Sequence, residues 1–235
     1  MSAEQYVCPV CGYNMIGECP ESCPFCGAGR ECFLTSAECS RRYHVEEYPV
    51  TGRIARLATL PKLGLEHAAF RLVTKERMIM IDCPVCFDEN ITRVDTIVFT
   101  HPHFLGASNL YRARFRAEAW IHAEDAKNSL ARSFPFDTKF HGDFTEFGLE
   151  AYHIAGHTPG FTVYLGARAL FVCDLVFLEN GIMRFNPHGP EGETRNAGRR
   201  LLQIVENRRL DWVCGWNYVA EYRSWYDKLV ELAGA

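Results

Sequence analysis

The feature that most constrains this chain is a pair of histidines, His101 and His103, placed directly after a short apolar run. Residues 95–99 read Asp-Thr-Ile-Val-Phe and favour a buried β-strand, because β-branched and aromatic side chains pack well on a pleated surface. Side chains two residues apart in an extended chain point the same way. The pattern therefore predicts that both imidazoles reach one metal ion at the end of a strand.

Two further residues complete a candidate coordination shell. His157 lies in the tight turn Gly-His-Thr-Pro-Gly at residues 156–160, and Asp174 follows the apolar run Ala-Leu-Phe-Val-Cys. Three histidines and one carboxylate suit zinc or a non-haem iron with open coordination positions. We expect His101, His103, His157 and Asp174 to hold one ion, with Asp174 and His157 also acting in catalysis.

The order of these motifs resembles the metallo-β-lactamase fold over residues 43–235. The resemblance rests on the strand that ends at Asp82, the Thr-His-x-His motif, the Gly-His-Thr-Pro-Gly turn and the strand before Asp174. It implies two sheets sandwiched between helical layers, an αββα arrangement with the ligands gathered at one edge. Periodicity alone indicates only an α/β protein.

The departures from the family's pattern predict one metal ion rather than two. The family usually reads His-x-His-x-Asp-His, but Leu105 and Gly106 stand where the aspartate and the second-site histidine belong. Near the C-terminus, Trp216 stands in the place of a further histidine. The ligands expected for a second ion are therefore missing, while those of the first remain.

The N-terminal segment carries two Cys-x-x-Cys motifs separated by eleven residues, formed by Cys8 and Cys11 and by Cys23 and Cys26. Four thiolates at this spacing can close on one tetrahedral ion. So short a segment buries little apolar surface, so the metal would supply much of its folding free energy. We predict a small metal domain at residues 1–40 and a larger domain at residues 41–235.

The two cysteine motifs, at residues 6–33, are similar to rubredoxin and to the rubredoxin-like domain of rubrerythrins. That resemblance implies an iron that changes oxidation state and relays one electron. A redox-silent zinc ribbon is the alternative, and spacing does not separate the two metals. We favour iron.

A third Cys-x-x-Cys pair, Cys83 and Cys86, follows the strand that ends at Asp82. One interpretation is a thiol pair near the metal cleft that is redox-active or contacts substrate. The other is two small buried residues, since unmodified cysteine is common in cores. His188, in the loop Phe-Asn-Pro-His-Gly-Pro, is a further candidate for contact with substrate.

Composition and charge narrow the class of protein. The chain has 235 residues and a net charge of −4, which gives no basic footprint for nucleic acid. It contains no apolar run of about eighteen residues and no basic, apolar N-terminal signal, so we expect no membrane span and a cytoplasmic location. Expected partners are a small-molecule substrate or ligand, a redox protein and a second copy in a homodimer.

Local patterns predict the remaining elements in outline. Strands are predicted at residues 43–50, 52–59, 67–74 and 77–82, and later at 118–122, 148–154, 162–165 and 169–173. Helices are predicted at residues 106–116, 123–133, 193–208 and 220–232.

Three functions follow from these observations. The first is an oxidoreductase or redox sensor, in which the four-cysteine iron passes electrons to a mononuclear metal site. The second is a hydrolase of thioesters or phosphodiesters with a structural zinc ribbon. The third is a non-catalytic protein whose cleft binds a ligand or partner. We rank them in that order.

Overall fold

The computed structural model describes residues 4–66 and 68–234. The strand predicted at residues 67–74 is observed at Ala69–Val73, and His67 lies outside the described residues.

The N-terminal segment forms a small three-stranded sheet followed by a short helix. Its strands pair in the order β2-β1-β3, both pairs antiparallel. Helix α1 begins with a capping box between Thr35 and Glu38, which satisfies two backbone N–H groups at its start. The elements are β1 Gln5–Val7, β2 Asn14–Ile16, β3 Leu34–Thr35 and α1 Ser36–Arg42. The predicted domain boundary between residues 40 and 41 falls inside α1.

A seven-stranded mixed sheet occupies the next part of the chain, in the order β10-β9-β8-β7-β6-β5-β4. The strands from β7 to β10 run parallel, and the others pair antiparallel. The elements are β4 His44–Thr51, β5 Ile54–Leu60, β6 Ala69–Val73, β7 Met78–Ile81, β8 Thr96–Val98, α2 Ser108–Phe115, β9 Glu118–His122 and β10 Thr138–Phe140.

A six-stranded sheet and two helices form the second half, with the strand order β11-β12-β13-β14-β17-β18. A separate hairpin, β15 with β16, follows β14. The elements are β11 Phe144–Glu146, β12 Leu149–His153, β13 Thr162–Gly166, β14 Ala169–Cys173, β15 Val176–Glu179, β16 Ile182–Phe185, α3 Glu191–Val205, β17 Trp212–Gly215, β18 Val219–Glu221 and α4 Tyr222–Gly234.

Apolar side chains on both faces of the seven-stranded sheet explain its position inside the molecule. In β7, Ile79 and Ile81 pack toward the six-stranded sheet, whereas Met80 packs on the opposite face with Tyr111 of α2. Successive side chains of a strand alternate between faces, so an unbroken apolar run marks a strand covered on both sides. The predicted αββα sandwich is confirmed.

The four-cysteine segment packs against the larger domain. Val7 and Leu34 share an apolar cluster with Met80. The Asn14 side-chain amide donates to the carbonyl of Val85 at 3.0 Å, and the Tyr13 hydroxyl donates to the carbonyl of Leu130 at 3.4 Å. These contacts seat the cysteine motifs beside the strand ends of the main sheet.

The predicted helix at residues 123–133 is wrong. A single 3-10 turn, Asp125–Lys127, is followed by further turns. The Asn128 side chain accepts from the N–H of Leu130, and such local bonds compete with helical ones. The hairpin of β15 and β16 was not predicted. Within the described ranges, no helix is long and apolar enough to cross a membrane.

Candidate metal centres

The four N-terminal cysteines converge on one point, as the spacing predicted. Their sulfurs lie within 4.8 Å of one another, with 3.7 Å between Cys8 and Cys26 and 3.6 Å between Cys11 and Cys23. A tetrahedral ion about 2.3 Å from each sulfur requires edges close to these values. The donor set fits zinc or iron.

The two cysteine motifs fold in the same way. Cys8 N–H donates to the carbonyl of Tyr13, and Cys23 N–H donates to that of Ala28 five residues on. Gly12 and Gly27 follow the second cysteine of each motif with φ of 87° and 78°, a region that favours glycine. Each turn thus presents its two sulfurs from one side.

Burial opposes charge on two of these thiols. Burial raises the pKa of Cys8 to about 11 and raises that of Cys11 further. Cys26 is exposed; its partial desolvation raises its pKa, but hydrogen bonds from Ala28 and the neighbouring thiols outweigh that effect and the pKa is lowered. A cation among the sulfurs would supply the charge that stabilises four thiolates.

The second cluster joins His101, His103, His157 and Asp174, whose donor atoms also lie within 4.8 Å of one another. His101 Nε2 lies 3.6 Å from Asp174 Oδ1, and His157 Nε2 lies 3.6 Å from Asp174 Oδ2. His157 Nε2 is 3.1 Å from His103 Nδ1. The sequence therefore identified four residues that the fold brings together.

Strand ends from both sheets position this cluster. His101 follows β8 in an extended conformation, and His103 lies in the 3-10 turn Pro102–Phe104. His157 lies in the turn between β12 and β13, and Asp174 follows β14. Sequence analysis predicted that His101 and His103 converge because they point the same way from an extended chain. That prediction of local geometry is wrong, since the chain turns after His101. The turn brings His103 round so that its Nδ1, not its Nε2, faces His157 Nε2.

Burial drives the cluster toward its neutral forms. Desolvation lowers the pKa of His103 to about 4 and that of His157 to about 3, and it raises the pKa of Asp174 to about 7. Asp174 Oδ1 is buried without a hydrogen-bond partner. Neutral imidazoles are the form that binds metal, and a cation would restore the charge on the carboxylate. These donors fit a metal ion.

Sequence analysis gave no role to three residues that support the ligands, namely Asp82, Asp125 and Asn186. Asp82 accepts hydrogen bonds from the N–H and hydroxyl of Thr100, both at 2.8 Å, and the hydroxyl lies 2.9 Å from His101 Nδ1. Such outer partners fix the ring orientation of a metal ligand. The position of Asp82 at a strand end was the only signal in the sequence.

Asp125 and Asn186 hold the other two ligand loops. Asp125 accepts from the Thr158 hydroxyl at 2.7 Å and from the Gly160 N–H at 2.9 Å, which fixes the turn that carries His157. The Asn186 side chain hydrogen-bonds Asp174, and it accepts the N–H of His188 at 2.9 Å. Both residues come from segments whose structure was wrongly predicted or missed.

The positions expected for a second metal cannot hold it. Leu105 is buried in the core at 3% exposure. Gly106 has a φ of 48°, and a Cβ there would overlap the carbonyl oxygen of Pro84. Trp216 donates its indole N–H to the carbonyl of Glu66 at 2.7 Å. The geometry therefore agrees with one ion at this cluster.

A cavity of about 580 Å³ opens above the cluster. Its polar lining comprises His103, His157, Asp174, Asn186 and His188. Cys83 and Cys86 do not line it; both are fully buried with Phe99 and Tyr111. That placement favours the interpretation of this cysteine pair as small core residues.

Comparison with known proteins gives the fold. No family model matches the sequence, and no curated protein matches it either. Solved structures do match. A metallo-β-lactamase from Pontibacter korlensis is 18% identical with a TM-score of 0.62, over 81% of this chain and 99% of that one. One from Erythrobacter litoralis with β-mercaptoethanol in its active site is 13% identical with a TM-score of 0.64, over 81% and 96%.

A third match is the metallo-β-lactamase FIM-1 from Pseudomonas aeruginosa in its mono-zinc form. It is 14% identical with a TM-score of 0.60, over 81% of this chain and 95% of that one. These likenesses show that the chain has the metallo-β-lactamase fold. To that fold it adds a four-cysteine cluster at its N-terminus.

Proposed function

We propose that this protein is a metal-dependent oxidoreductase or redox sensor in which an iron at the four cysteines exchanges electrons with a small molecule at the His/Asp centre. The observation that carries the proposal is the position of Phe25. Its ring meets the ring of His103 edge-on, with 5.5 Å between centroids, and the next residue in the chain is Cys26. One side chain thus bridges the two clusters.

A shared cavity supports the same proposal. Phe25 comes from the second cysteine motif and lines the cavity together with His103 and His157. A donor fused in the same chain acts at a high effective concentration, so no separate docking step is needed. A purely structural zinc ribbon would not require a position at the cleft.

The absence of a second set of ligands also bears on the reaction. Hydrolases with two metals use both ions to activate water and to polarise the scissile bond. Here the buried Leu105 and the tightly packed Gly106 replace two of the required ligands. A single ion with three histidines and one carboxylate leaves open positions that suit a small ligand.

An iron held by Cys8, Cys11, Cys23 and Cys26 would supply one-electron exchange, and an ion held by the His/Asp cluster would polarise a bound molecule. The chain's own residues would orient that molecule and move protons. His188 lines the cavity together with His103 and His157. It is therefore placed to give or take a proton beside a ligand in the cavity.

The test begins with protein purified without oxygen from iron-replete cells. We expect one iron at the four cysteines, with thiolate-to-iron charge-transfer bands, and a second metal lost in His157→Ala. After reduction by dithionite, we expect reoxidation by dioxygen, one electron per four-cysteine iron, to be at least about tenfold slower in His157→Ala, since only the cleft site has open positions.

A matched pair of variants tests the bridge. Phe25 and Val10 hold the same position in the two Cys-Pro-x-Cys motifs, but Val10 does not line the cavity. Phe25→Ala should slow reoxidation, whereas Val10→Ala should not. Stoichiometric zinc at both sites, or reoxidation that is indifferent to His157, would end the redox proposal.

A mononuclear zinc hydrolase is the second candidate. The similar structures are named as β-lactamases, and one of them is in a mono-zinc form, which favours hydrolysis by a single ion. Turnover of a thioester or phosphodiester panel that is lost in His101→Ala and His157→Ala, yet persists with zinc at the four cysteines, would select this function.

A further inference from the structure

We infer that the cavity binds an uncharged molecule with an aromatic or similarly apolar body, and that Phe25 sets how well that body fits. The inference rests on the metal centre of the proposed function, but it holds for a redox or a hydrolytic reaction. It concerns the part of the bound molecule that does not contact the metal.

The walls of the cavity are apolar. Five large side chains form them: Phe25, Leu65, Phe104, Phe177 and Trp216. Among the described residues that line the cavity there is no lysine or arginine, and Asp174 is the one carboxylic acid. A charged body would lose its hydration without gaining a partner of opposite charge, which is costly. The lining therefore selects a neutral, apolar body behind one metal-binding group.

Part of this wall is already fixed in place. The Trp216 indole is held by its 2.7 Å hydrogen bond to the Glu66 carbonyl, and its ring packs against Phe177 with 5.2 Å between centroids. Phe104 packs on His101 at 4.9 Å. A preformed wall spares a ligand the entropy cost of ordering these side chains.

A second part of the wall, which includes Phe25 of the four-cysteine segment, is exposed to solvent. Phe25 and Leu65 are 40% and 45% exposed although both are large and apolar. Leu65 is tied to that segment, since its N–H donates to the Cys11 carbonyl at 3.4 Å. A ligand that covers both side chains removes apolar surface from water and gains affinity from it.

Close backbone packing limits how far Leu65 can move away from the cavity. Gly64, next to Leu65, has a φ of 62° and lies so close to the backbone of Cys11 and Gly12 that a Cβ would overlap it. The position of Leu65 is thus set by the cysteine turn. The four-cysteine segment shapes the ligand site as well as holding a metal.

Three hydroxamates with one metal-binding group and different bodies test the inference on the zinc-loaded full chain by isothermal titration calorimetry. We expect benzohydroxamate to bind at least about tenfold more tightly than acetohydroxamate, because its ring covers apolar wall. The added charge of 4-carboxybenzohydroxamate should remove that advantage. His101→Ala protein, which keeps the four-cysteine site, should bind none of them.

Variants in the two cysteine motifs test whether Phe25 is responsible for the preference for an aromatic body. Phe25→Ala should reduce the ratio of benzohydroxamate to acetohydroxamate affinity by about threefold or more, whereas Val10→Ala should leave it unchanged. Equal affinity for the three compounds, or a ratio insensitive to Phe25, overturns the inference while the metal centre stands. Failure of all three to bind zinc-loaded protein overturns both the inference and an accessible metal centre.

Discussion

The two candidate metal centres of this protein are built in opposite ways. All four cysteines lie within residues 8–26, in two turns with the same hydrogen-bond pattern. The histidines and the aspartate come from three loops within residues 101–174, at the ends of strands in two different sheets. One centre is local in sequence; the other exists only because two sheets pack together.

The two centres therefore differ in what stabilises them. The local centre has little apolar surface of its own, so bound metal would contribute much of its stability. The distant centre is held by the sandwich core and by hydrogen bonds from Asp82, Asp125 and Asn186. Loss of metal should therefore unfold the first centre and merely empty the second.

The largest effect should come from breaking the local centre. In Cys11→Ser we expect the loss of one metal per chain and unfolding of residues 5–35, because a structural tetrathiolate ion contributes on the order of 10 kcal/mol. In His157→Ala the other metal should be lost with the fold retained. Metal analysis and limited proteolysis of both variants check this.

The outcome that would contradict the comparison is equal proteolytic resistance of the N-terminal segment in both variants. It would mean that contacts with the larger domain, such as that of Asn14 with Val85, hold the segment without metal.

The next effect concerns the missing second site. Replacing Gly106 with histidine restores a residue type that binds metal, yet its Cβ would overlap the Pro84 carbonyl and its φ would stay positive. We expect a loss of about 3 kcal/mol in the free energy of unfolding and no additional metal. Denaturant unfolding with metal analysis measures both. A stable variant that gains a second ion would refute the steric explanation.

A smaller effect should follow from loosening a ligand without removing it. Asp82→Asn keeps the shape but cannot accept both hydrogen bonds from Thr100, so the ring of His101 is less firmly oriented. We expect metal affinity at the His/Asp centre to fall by about 10- to 100-fold. Competition with a chelator measures it.

A control for that variant is Asp137→Asn. Asp137 also accepts a backbone N–H, from Ala119 at 2.8 Å, but it pairs with Arg112 and belongs to neither cluster. Metal affinity should not change there. An equal fall in both variants would assign the effect to general stability.

The smallest effect concerns the pH dependence of stability due to His122, a buried histidine outside the metal centre. Burial, with help from His153 stacked at 4.0 Å, lowers the pKa of His122 to about 4. The unfolded chain binds a proton near pH 6.5, so the folded state loses stability as pH falls from about 6.5 to about 4, on the order of 2 kcal/mol. Metal content should not follow this change.

The measurement compares His122→Gln with the parent chain by denaturant unfolding between pH 4.5 and pH 7.5. The variant should show a shallower fall on acidification. Parallel curves would mean that protonation of His122 has no cost in the folded protein.

Several parts of this structure could be predicted from the sequence because their signals are local. The Cys-x-x-Cys pairs with glycine after each motif predict matching turns, and the apolar runs before His101 and Asp174 predict strands. Residues 123–133 show the limit of such reasoning. Their helical pattern does not reveal that the Asn128 side chain bonds the N–H of Leu130 or that Asp125 bonds the distant Thr158 and Gly160.

The sequence identified the side chains that can bind metal and showed that the expected second-site ligands are replaced, whereas its patterns indicated only an α/β protein and the family resemblance implied the αββα arrangement. Packing in three dimensions fixed that His103 presents Nδ1 through a turn, that Asp82 supports His101 through Thr100, and that Phe25 contacts His103. Sequence motifs predict which side chains can bind metal and where the chain makes local turns. Distances between loops depend on how two sheets and the cysteine segment pack, which no single stretch of chain specifies.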